Sequence, residues 1–163
     1  LRRFFQSSGI KKYIAEEEII NETMEGVLRM IHDKKGGLIV IALSNKYQLD
    51  TNSGVLVNGL VSSELILSIF SDASPLKNGA VIIDNNQMLA AGVTLPISNS
   101  QKIASSKGLR HRAAVGVTEH GEVIAIVISS NDGGVSLAKD GVLKEDVTLE
   151  YLKKEMYKAL VEE

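Results

Sequence analysis

The sequence predicts an α/β domain, with some α+β character, in which one mixed central sheet is flanked by helices. Apolar residues recur at helical spacing near both ends of the chain, which is typical of amphipathic helices. A continuous apolar run of strand length follows the first of these helices and indicates a strand buried on both faces. Later apolar runs are separated by short turns rich in Asn, Asp and Gly, which favours antiparallel hairpins. Helices on both sides of the first strand permit a crossover, so parallel and antiparallel pairs are both expected.

The first predicted element is an amphipathic helix over residues 13–33, whose apolar side chains recur three and four positions apart. Gly36 and Gly37 are predicted to end this helix, because glycine readily adopts the left-handed conformation that closes many helices. The apolar run 38–43 is then predicted to be the buried strand, and the polar stretch 44–53 a loop.

A short helix and a hairpin are predicted next. Ser62 or Ser63 is expected to cap a helix that ends near Phe70, since a serine side chain accepts hydrogen bonds from the first free amides of a helix. The runs 80–83 and 88–95 are predicted to pair as a hairpin, because an Asp-Asn-Asn-Gln turn separates them.

The second half of the chain is predicted to add strands and a final helix. The polar stretch 98–107 is expected to form a short helical turn at most. The segments 122–129 and 135–138 are predicted to form a second hairpin around an Asn-Asp-Gly-Gly turn. Thr148 is expected to cap a C-terminal helix with one apolar face. The predicted order is therefore helix, strand, helix, several strands, helix.

Length, charge and composition limit the classes of protein. The 163 residues with 44% hydrophobic side chains suit one core, so we expect a single domain with a helical lead-in at 1–19, a core at 20–155 and the end of the last helix at 156–163. A net charge of -2 gives no general attraction to nucleic acid polymers or anionic membranes, so any phosphate binding has to be local. The absence of cysteine excludes disulfides, thiolate zinc sites and cysteine nucleophiles.

The apolar runs are far shorter than the roughly 20 residues needed to cross a bilayer, so this chain is expected to be soluble and cytoplasmic. It begins at Leu1 rather than at a methionine, which leaves room for an upstream segment such as a membrane anchor. Membrane association is therefore expected only through such a segment.

The densest cationic cluster in the chain is Arg110-His111-Arg112. Guanidinium groups grip phosphate through two parallel hydrogen bonds, and histidine adds a donor or a proton carrier near neutral pH. Gly108 and the Ala113-Ala114 pair beside the cluster are small enough to let a ligand approach the backbone. Most such triplets lie on a solvated surface, but these neighbours favour a polyphosphate site.

Two turns of small residues, Asn78-Gly79-Ala80 and Gly133-Gly134, adjoin predicted strand ends. Loops at strand ends commonly carry binding sites, and glycine there can aim amides at phosphate oxygens. Each feature also has a purely structural explanation when it is taken singly. The glycines can serve only to form turns, and His111 can be a structural hydrogen-bond donor. The Leu95-Pro96 pair can be a core residue followed by a strand end. Together, the features favour a nucleotide site.

These segments resemble the blocks of the diadenylate cyclase domain family, in the same order and with similar spacing. The resemblance rests on residues 75–83, 95–96, 108–114 and 129–136 and on a preceding helix at 61–70. It extends over residues 20–155 and is greatest for the membrane-anchored branch of the family. An anchored relative would also account for a chain that starts without methionine.

The resemblance implies that two ATP molecules are condensed into cyclic di-AMP and two pyrophosphates, with Mg²⁺ or Mn²⁺, where two domains of a homo-oligomer meet face to face. The catalytic positions that it implies are Asn78, Arg110, His111 and Arg112. The substrate-binding positions are Gly79, Ala80, Leu95, Leu109, Ser129, Gly133 and Gly134, and the metal-binding positions are Asn78, Asn131 and Asp132.

Four positions depart from the family pattern that the resemblance implies. Asn78 stands where the family has the Asp of Asp-Gly-Ala, and its neutral carbonyl oxygen binds a divalent cation more weakly and cannot accept a proton. Leu109 replaces a usual Thr and lacks its hydroxyl, and Lys77 replaces a common His. Asn131 replaces an acidic residue, with Asp132 one position along as a substitute ligand.

These departures leave three interpretations of the chain. The first is a working diadenylate cyclase, favoured by the retained Gly79-Ala80 and Arg110-His111-Arg112. The second is a nucleotide-binding or regulatory homologue that kept its arginines and lost carboxylates at Asn78 and Asn131. The third is that Asn78 was introduced to trap substrate. The first is preferred, because substrate phosphates supply much of the coordination of a bound Mg²⁺.

Overall fold

The computed structural model describes residues 2–44, 48–104 and 107–162, with side chains from residue 9 onward. Four α-helices and seven β-strands are formed within these residues. In chain order they are α1 (Arg2–His32), β1 (Gly37–Ala42), β2 (Val55–Gly59), α2 (Ser63–Ile69), β3 (Ala80–Asp84), β4 (Gln87–Val93), α3 (Leu109–His120), β5 (Val123–Ile128), β6 (Val135–Lys139), β7 (Val142–Lys144) and α4 (Leu149–Leu160). None of the described helices is both long and apolar enough to cross a membrane.

All seven strands belong to one sheet with the order β2-β4-β3-β1-β5-β6-β7. Strand β1 lies in the middle, parallel to β3 and antiparallel to β5. The other described neighbours pair antiparallel, so the chain makes its parallel crossover between β1 and β3. The mixed sheet and its flanking helices confirm the predicted fold class.

Helices cover both faces of the sheet. In β1, Ile39 and Ile41 face a layer in which α1, α2 and α4 share one apolar cluster. Leu38 and Val40 point to the opposite face and pack with α3. Because side chains alternate along a strand, a run that is apolar throughout is buried on both faces. The buried strand predicted at 38–43 is confirmed to within a residue at each end.

Several local predictions are also confirmed. Helix α1 contains almost all of the predicted 13–33 segment and extends N-terminally to Arg2. The hydroxyl of Ser62 accepts a hydrogen bond from the Leu65 amide (3.1 Å) at the start of α2, and Thr148 caps α4 in the same way. Both predicted hairpins are present, as β3–β4 and β5–β6. The predicted loop 44–53 contains no described helix or strand, and residues 45–47 lie outside the described residues.

The predicted order was wrong in omitting α3 and the two edge strands. Residues 113–118 of α3 are all buried, so no exposed face marks the helix in the sequence. Strands β2 and β7 lack an alternating pattern because they lie at the two edges of the sheet, where side chains such as Leu56 (61% exposed) remain open to water. Turns occur at 101–102 where a helical turn was considered, and residues 105 and 106 lie outside the described residues.

The end of α1 was assigned to the wrong residues. Lys34, with φ of 57°, is the left-handed residue that closes the helix, rather than Gly36 or Gly37. Its amide donates to the Ile31 carbonyl (3.2 Å) and the next amide to the Met30 carbonyl (2.8 Å), the pair of bonds typical of a Schellman end. Gly37 serves packing instead, because a Cβ there would lie 2.7 Å from the Met30 side chain.

Candidate functional site

Most residues selected from the sequence lie at one end of the sheet. Ala80, which begins β3, pairs with Leu38 at the start of β1 and with Val93 at the end of β4. Ile128, which ends β5, pairs with Val135 at the start of β6. The segments before β1, β3 and β6 and after β4 and β5 therefore meet at this end, which we call the site edge.

Helix α3 begins at the site edge. Gly108 is its N-cap residue and supplies no side-chain hydrogen bond, so the first amides of α3 are available to a ligand. Arg110 and His111 lie in the first turn. The positive end of the helix dipole and the adjacent guanidinium both favour an anion here.

An apolar cleft of about 160 Å³ opens between α3, the start of β3 and the end of β4. Gly79, Ala80, Leu95 and Ala113 contribute to its lining. Leu109, which also lines it, is 74% exposed. Apolar walls with a few convergent polar groups are typical of small-molecule sites.

A polar cleft of about 680 Å³ adjoins the apolar one. Asn78, Leu109 and Arg110 line both clefts, so the two are continuous at these residues. The other polar residues lining the polar cleft are Lys107, His111, Ser129, Ser130, Asn131 and Asp132. This arrangement suits a ligand with an aromatic ring at one end and anionic groups at the other.

Three predicted site residues line neither cleft. Arg112 is half-buried, and its backbone carbonyl accepts a hydrogen bond from the Ser98 amide (3.0 Å). Gly133 has φ of 69°, and its amide donates to the Ser129 carbonyl (3.1 Å), while the Gly134 carbonyl accepts from the Ser129 amide (2.9 Å). The two glycines therefore shape the turn that presents Asn131 and Asp132.

Gly79 has a packing role that does not involve a ligand. A Cβ at this position would overlap the backbone of Gly92 and lie 2.6 Å from the Val93 amide nitrogen. Real Cβ atoms do not approach backbone this closely, so β3 packs on β4 only with glycine at position 79. The glycine is explained by the fold, and its neighbour Ala80 is the side chain that faces the cleft.

The two lysines Lys35 and Lys107 at the site edge pair with carboxylates, whereas the described arginines there do not. Among the described residues neither Arg110 nor Arg112 forms an ion pair. Half-burial lowers the pKa of His111 below its usual value, and the nearby positive charge of Lys107 lowers it further. His111 is therefore mainly neutral at pH 7. Hydrogen bonds from the Gly134 amide and from Ser129 lower the pKa of Asp132, which keeps this carboxylate ionised.

The oxygen ligands at this edge suit a divalent cation that also binds substrate. In the described part of the chain no three His, Cys, Asp or Glu side chains are grouped closely enough to hold a metal by themselves. Asn78, Asn131 and Asp132 do place amide and carboxylate oxygens along one cleft. Mg²⁺ usually takes only one or two protein carboxylates and completes its shell with water and phosphate oxygens, so this donor set fits a shared ion.

Some residues at the site edge were not found from the sequence. Ile97 lines the apolar cleft, Lys107 the polar one, and Lys34 and Lys35 a third pocket of about 260 Å³ beside Asn78. The residue types of these four positions gave no signal in the sequence. Lys34 and Lys35 adjoin the C-terminal end of α1, where cationic residues are common.

A cleft of about 990 Å³, larger than those at the site edge, lies at the other end of α3. None of the residues selected from the sequence lines it. Its charged lining is mostly acidic, with Glu119, Glu122, Asp140 and Glu145 against Lys102. A phosphate would be repelled there, so the smaller clefts at the site edge are the better candidates.

The fold is that of an α/β domain, and its paired clefts suit a nucleotide. A family model described as DAC, the DisA bacterial checkpoint controller nucleotide-binding domain, matches residues 24–143. The chain therefore belongs to this family, which confirms the resemblance seen in the sequence.

Named relatives are similar to most of this chain. Cyclic di-AMP synthase CdaA of Bacillus subtilis is 39% identical over 151 residues, covering 93% of this chain and 55% of the relative. The diadenylate cyclase of Mycoplasma pneumoniae is 33% identical over 135 residues, covering 82% of this chain and 66% of the relative. The chain spans about half the length of curated relatives that it matches.

Solved structures share the fold. A double cysteine mutant of DacA from Staphylococcus aureus superposes with a TM-score of 0.84 at 32% identity, covering 90% of this chain and 97% of that one. A chain titled a hypothetical membrane spanning protein from Bacillus cereus gives a TM-score of 0.72 at 29% identity, covering 78% of this chain and 63% of that one.

Proposed function

We propose that this chain condenses two ATP molecules into cyclic di-AMP and two pyrophosphates. The observation that carries the proposal is the continuity of two clefts at Asn78 and Arg110, one apolar and one polar. Adenine fits the cleft lined by Ala80 and Leu95, and the phosphates fit the cleft lined by His111. The relatives named as cyclic di-AMP synthase and diadenylate cyclase support the same product.

We propose that one subunit supplies half of the reaction centre. The apolar cleft is small, about 160 Å³, and Leu109 is exposed beside it. A second copy of the domain, facing the site edge, would cover Leu109 and bring its own nucleotide opposite the first. Arg112, which lines neither cleft, is assigned to phosphate contacts that form only in this homo-oligomer.

Each half-reaction forms one bond and breaks one bond. The 3′-hydroxyl oxygen of one nucleotide bonds to the α-phosphorus of the other, and the bond from that phosphorus to the bridging pyrophosphate oxygen breaks. Arg110 and the amides at the start of α3 balance the charge on the phosphates. The hydroxyl proton passes to His111, whose lowered pKa leaves a ring nitrogen free to accept it at pH 7.

Asn78 cannot act as the general base at the site edge, because an amide cannot take up the proton of the attacking hydroxyl. A divalent cation, Mg²⁺ or Mn²⁺, held by Asn78, Asn131, Asp132 and phosphate oxygens would polarise the phosphate under attack. Asn78 and Asn131 contribute neutral oxygens to that set, so their hold on the ion is weak.

The test is turnover of ATP by the full chain with Mn²⁺, followed by mass spectrometry of the products. Cyclic di-AMP and pyrophosphate are expected from the native chain, and a larger amount from Asn78→Asp. Arg110→Gln should abolish product, whereas Lys154→Met, which removes an exposed charge from α4, should not. The absence of cyclic di-AMP from the native chain, together with its formation by Asn78→Asp, would refute native activity.

A second candidate function is nucleotide binding without turnover. The neutral side chains of Asn78 and Asn131 favour it, because they leave Asp132 as the one carboxylate lining the polar cleft. Calorimetry should then show ATP or cyclic di-AMP binding to a chain that forms no product. Failure to bind either nucleotide would contradict both functions.

A further inference from the structure

Four cationic side chains and one carboxylate line the third pocket, which we call the lysine pocket. The cations are Lys34, Lys35, Lys77 and Arg110, and the carboxylate is Asp72. The whole chain carries a net charge of -2, so this excess of positive charge is local. A concave pocket with this balance attracts a multiply charged anion.

Asp72 holds two of the lysines in place. Its carboxylate pairs with the Lys35 ammonium at 2.7 Å, and its backbone carbonyl accepts a hydrogen bond from the Lys77 ammonium at 2.8 Å. Lys35 stands just before β1 and Lys77 just before β3, and these strands are parallel neighbours. Because the Asp72 side chain is 83% exposed, this pair adds little stability, and its main consequence is that the Lys35 and Lys77 ammonium groups both lie against one residue.

Arg110 connects the lysine pocket to the two nucleotide clefts. Its guanidinium packs over Gly36, where a Cβ would lie 2.5 Å from the Arg110 Nη1 atom. Asn78 also lines all three cavities. An anion in the lysine pocket therefore lies next to phosphates held in the polar cleft.

The backbone beside the pocket is unusual. Lys34 adopts φ of 57°, a left-handed conformation that costs a residue with a Cβ about 1 kcal/mol or more and that glycine would adopt freely. A lysine at this position adds a fourth cation to the pocket rim. The positive charge of Lys34 gives a reason for a lysine, rather than a glycine, to occupy this strained position.

We propose that the lysine pocket binds the two outer phosphates of the nucleotide and, after bond cleavage, the pyrophosphate product. This inference rests on the proposed function. Lysine binds phosphate as a point charge and arginine as a planar fork, so Lys35, Lys77 and Arg110 together suit a diphosphate group. The cations also allow this binding without a divalent ion.

The test is calorimetry of the full chain with sodium pyrophosphate in EDTA. The native chain should bind, and Lys35→Met and Lys77→Met should each weaken binding about tenfold, the usual effect of losing a charged hydrogen bond. Asp72→Asn should tighten binding, because it removes the one negative charge while the backbone carbonyl that holds Lys77 is kept. Lys154→Met, an equal change of charge on α4, should have no effect.

Three outcomes would overturn the proposal. The first is unchanged affinity in both Lys35→Met and Lys77→Met, and the second is an equal loss in Lys154→Met, which would indicate unspecific attraction. The third is simultaneous, independent binding of ATP and pyrophosphate, because a shared phosphate site requires competition. Circular dichroism of each variant verifies folding, and Lys35→Arg should recover affinity because the charge is restored.

Cyclic di-AMP separates this proposal from the proposed function. It has no outer phosphates, so Lys35→Met and Lys77→Met should bind it with about the native affinity while losing pyrophosphate. A native chain that binds pyrophosphate but not cyclic di-AMP would contradict the proposed function alone. A chain that binds cyclic di-AMP but shows no dependence of pyrophosphate affinity on the two lysines would contradict the lysine pocket alone.

Discussion

Replacement of Gly116 by alanine should destabilise the protein, although it places a better helix former in α3. Alanine in a helix interior is favoured over glycine by about 1 kcal/mol. In this structure, however, a Cβ at Gly116 would overlap the Pro96 carbonyl oxygen and lie 2.8 Å from the Pro96 carbonyl carbon and 3.0 Å from the Ser98 amide nitrogen. Ordinary contacts between carbon atoms are about 3.5–4.0 Å, so the segment after β4 has to retreat by roughly 1 Å.

The expected loss follows from these opposed effects. Overpacking of this kind costs about 1–3 kcal/mol, and backbone atoms relieve it less easily than side chains do. Because the overlap is with backbone, we take the upper part of this range, about 2–3 kcal/mol. Subtraction of about 1 kcal/mol for helix propensity leaves a net loss of about 1–2 kcal/mol, which lowers Tm by roughly 2–8 °C in a chain of this size. The retreat also separates Leu95 from α3, so affinity for cyclic di-AMP should fall.

Urea unfolding followed by circular dichroism measures the stability, and calorimetry measures the affinity. Gly9→Ala is the matched control, because Gly9 is also helical and a Cβ there meets nothing within 4 Å. It should leave the protein as stable as before or slightly more so. A Gly116→Ala protein as stable as the native one, with unchanged affinity, would refute the close approach of α3 to Pro96.

Three further predictions follow from buried or half-buried polar groups. Thr23→Val should stabilise the fold by about 1 kcal/mol, because the Thr23 hydroxyl is buried without a hydrogen-bond partner among the described residues. Thr118→Val should instead cost about 1–3 kcal/mol in urea unfolding, because it leaves the Gly141 amide without its acceptor. His111 should titrate below its usual pKa of 6.5 in NMR spectra. Since the unfolded chain then binds more protons, stability should fall as pH drops below 6.5, and His111→Gln should reduce this dependence.

The elements that could be predicted from the sequence are those with local signals. Ser62 and Thr148 cap helices through their own hydroxyls, and the turn between β3 and β4 uses Asn85 and Asn86, both with positive φ. A cap or a turn depends on a few consecutive residues, so it is visible without knowledge of the fold.

Helix α3 could not be predicted, because its burial depends on distant parts of the chain. One side packs on the sheet, and Gly116 allows the segment at Pro96 to close over another. Buried on both sides, the helix loses the polar stripe that identifies amphipathic helices. Its N-terminal Arg110-His111-Arg112 was recognised as a cluster, but not as the first turn of a helix.

The residue types of the candidate site could be predicted from the sequence, but only some of the residues that lie together in space could. The cationic triplet and Asn78 were selected by residue type, and the structure brings Arg110, His111 and Asn78 to one polar cleft. Lys35 escaped notice, because it is an ordinary lysine in its own segment, and Lys77 was noted only as a departure from the family pattern. They meet only because β1 and β3 are parallel neighbours, and Asp72 joins them.

Asn78 is the residue at which the two proposals make opposite predictions. A carboxylate at this position would bind a shared divalent ion more tightly and could accept a proton, so Asn78→Asp should raise turnover of ATP. The same carboxylate would stand beside Lys77 and Arg110 in the lysine pocket and oppose a bound anion. One unit charge at close range is worth about 1 kcal/mol in a water-exposed site, so metal-free affinity for pyrophosphate should fall about fivefold. Opposite shifts in one variant would mean that Asn78 favours phosphate binding at the expense of the chemical step, whereas a fall in both would contradict the role proposed for position 78 in turnover and leave only its effect on the bound anion.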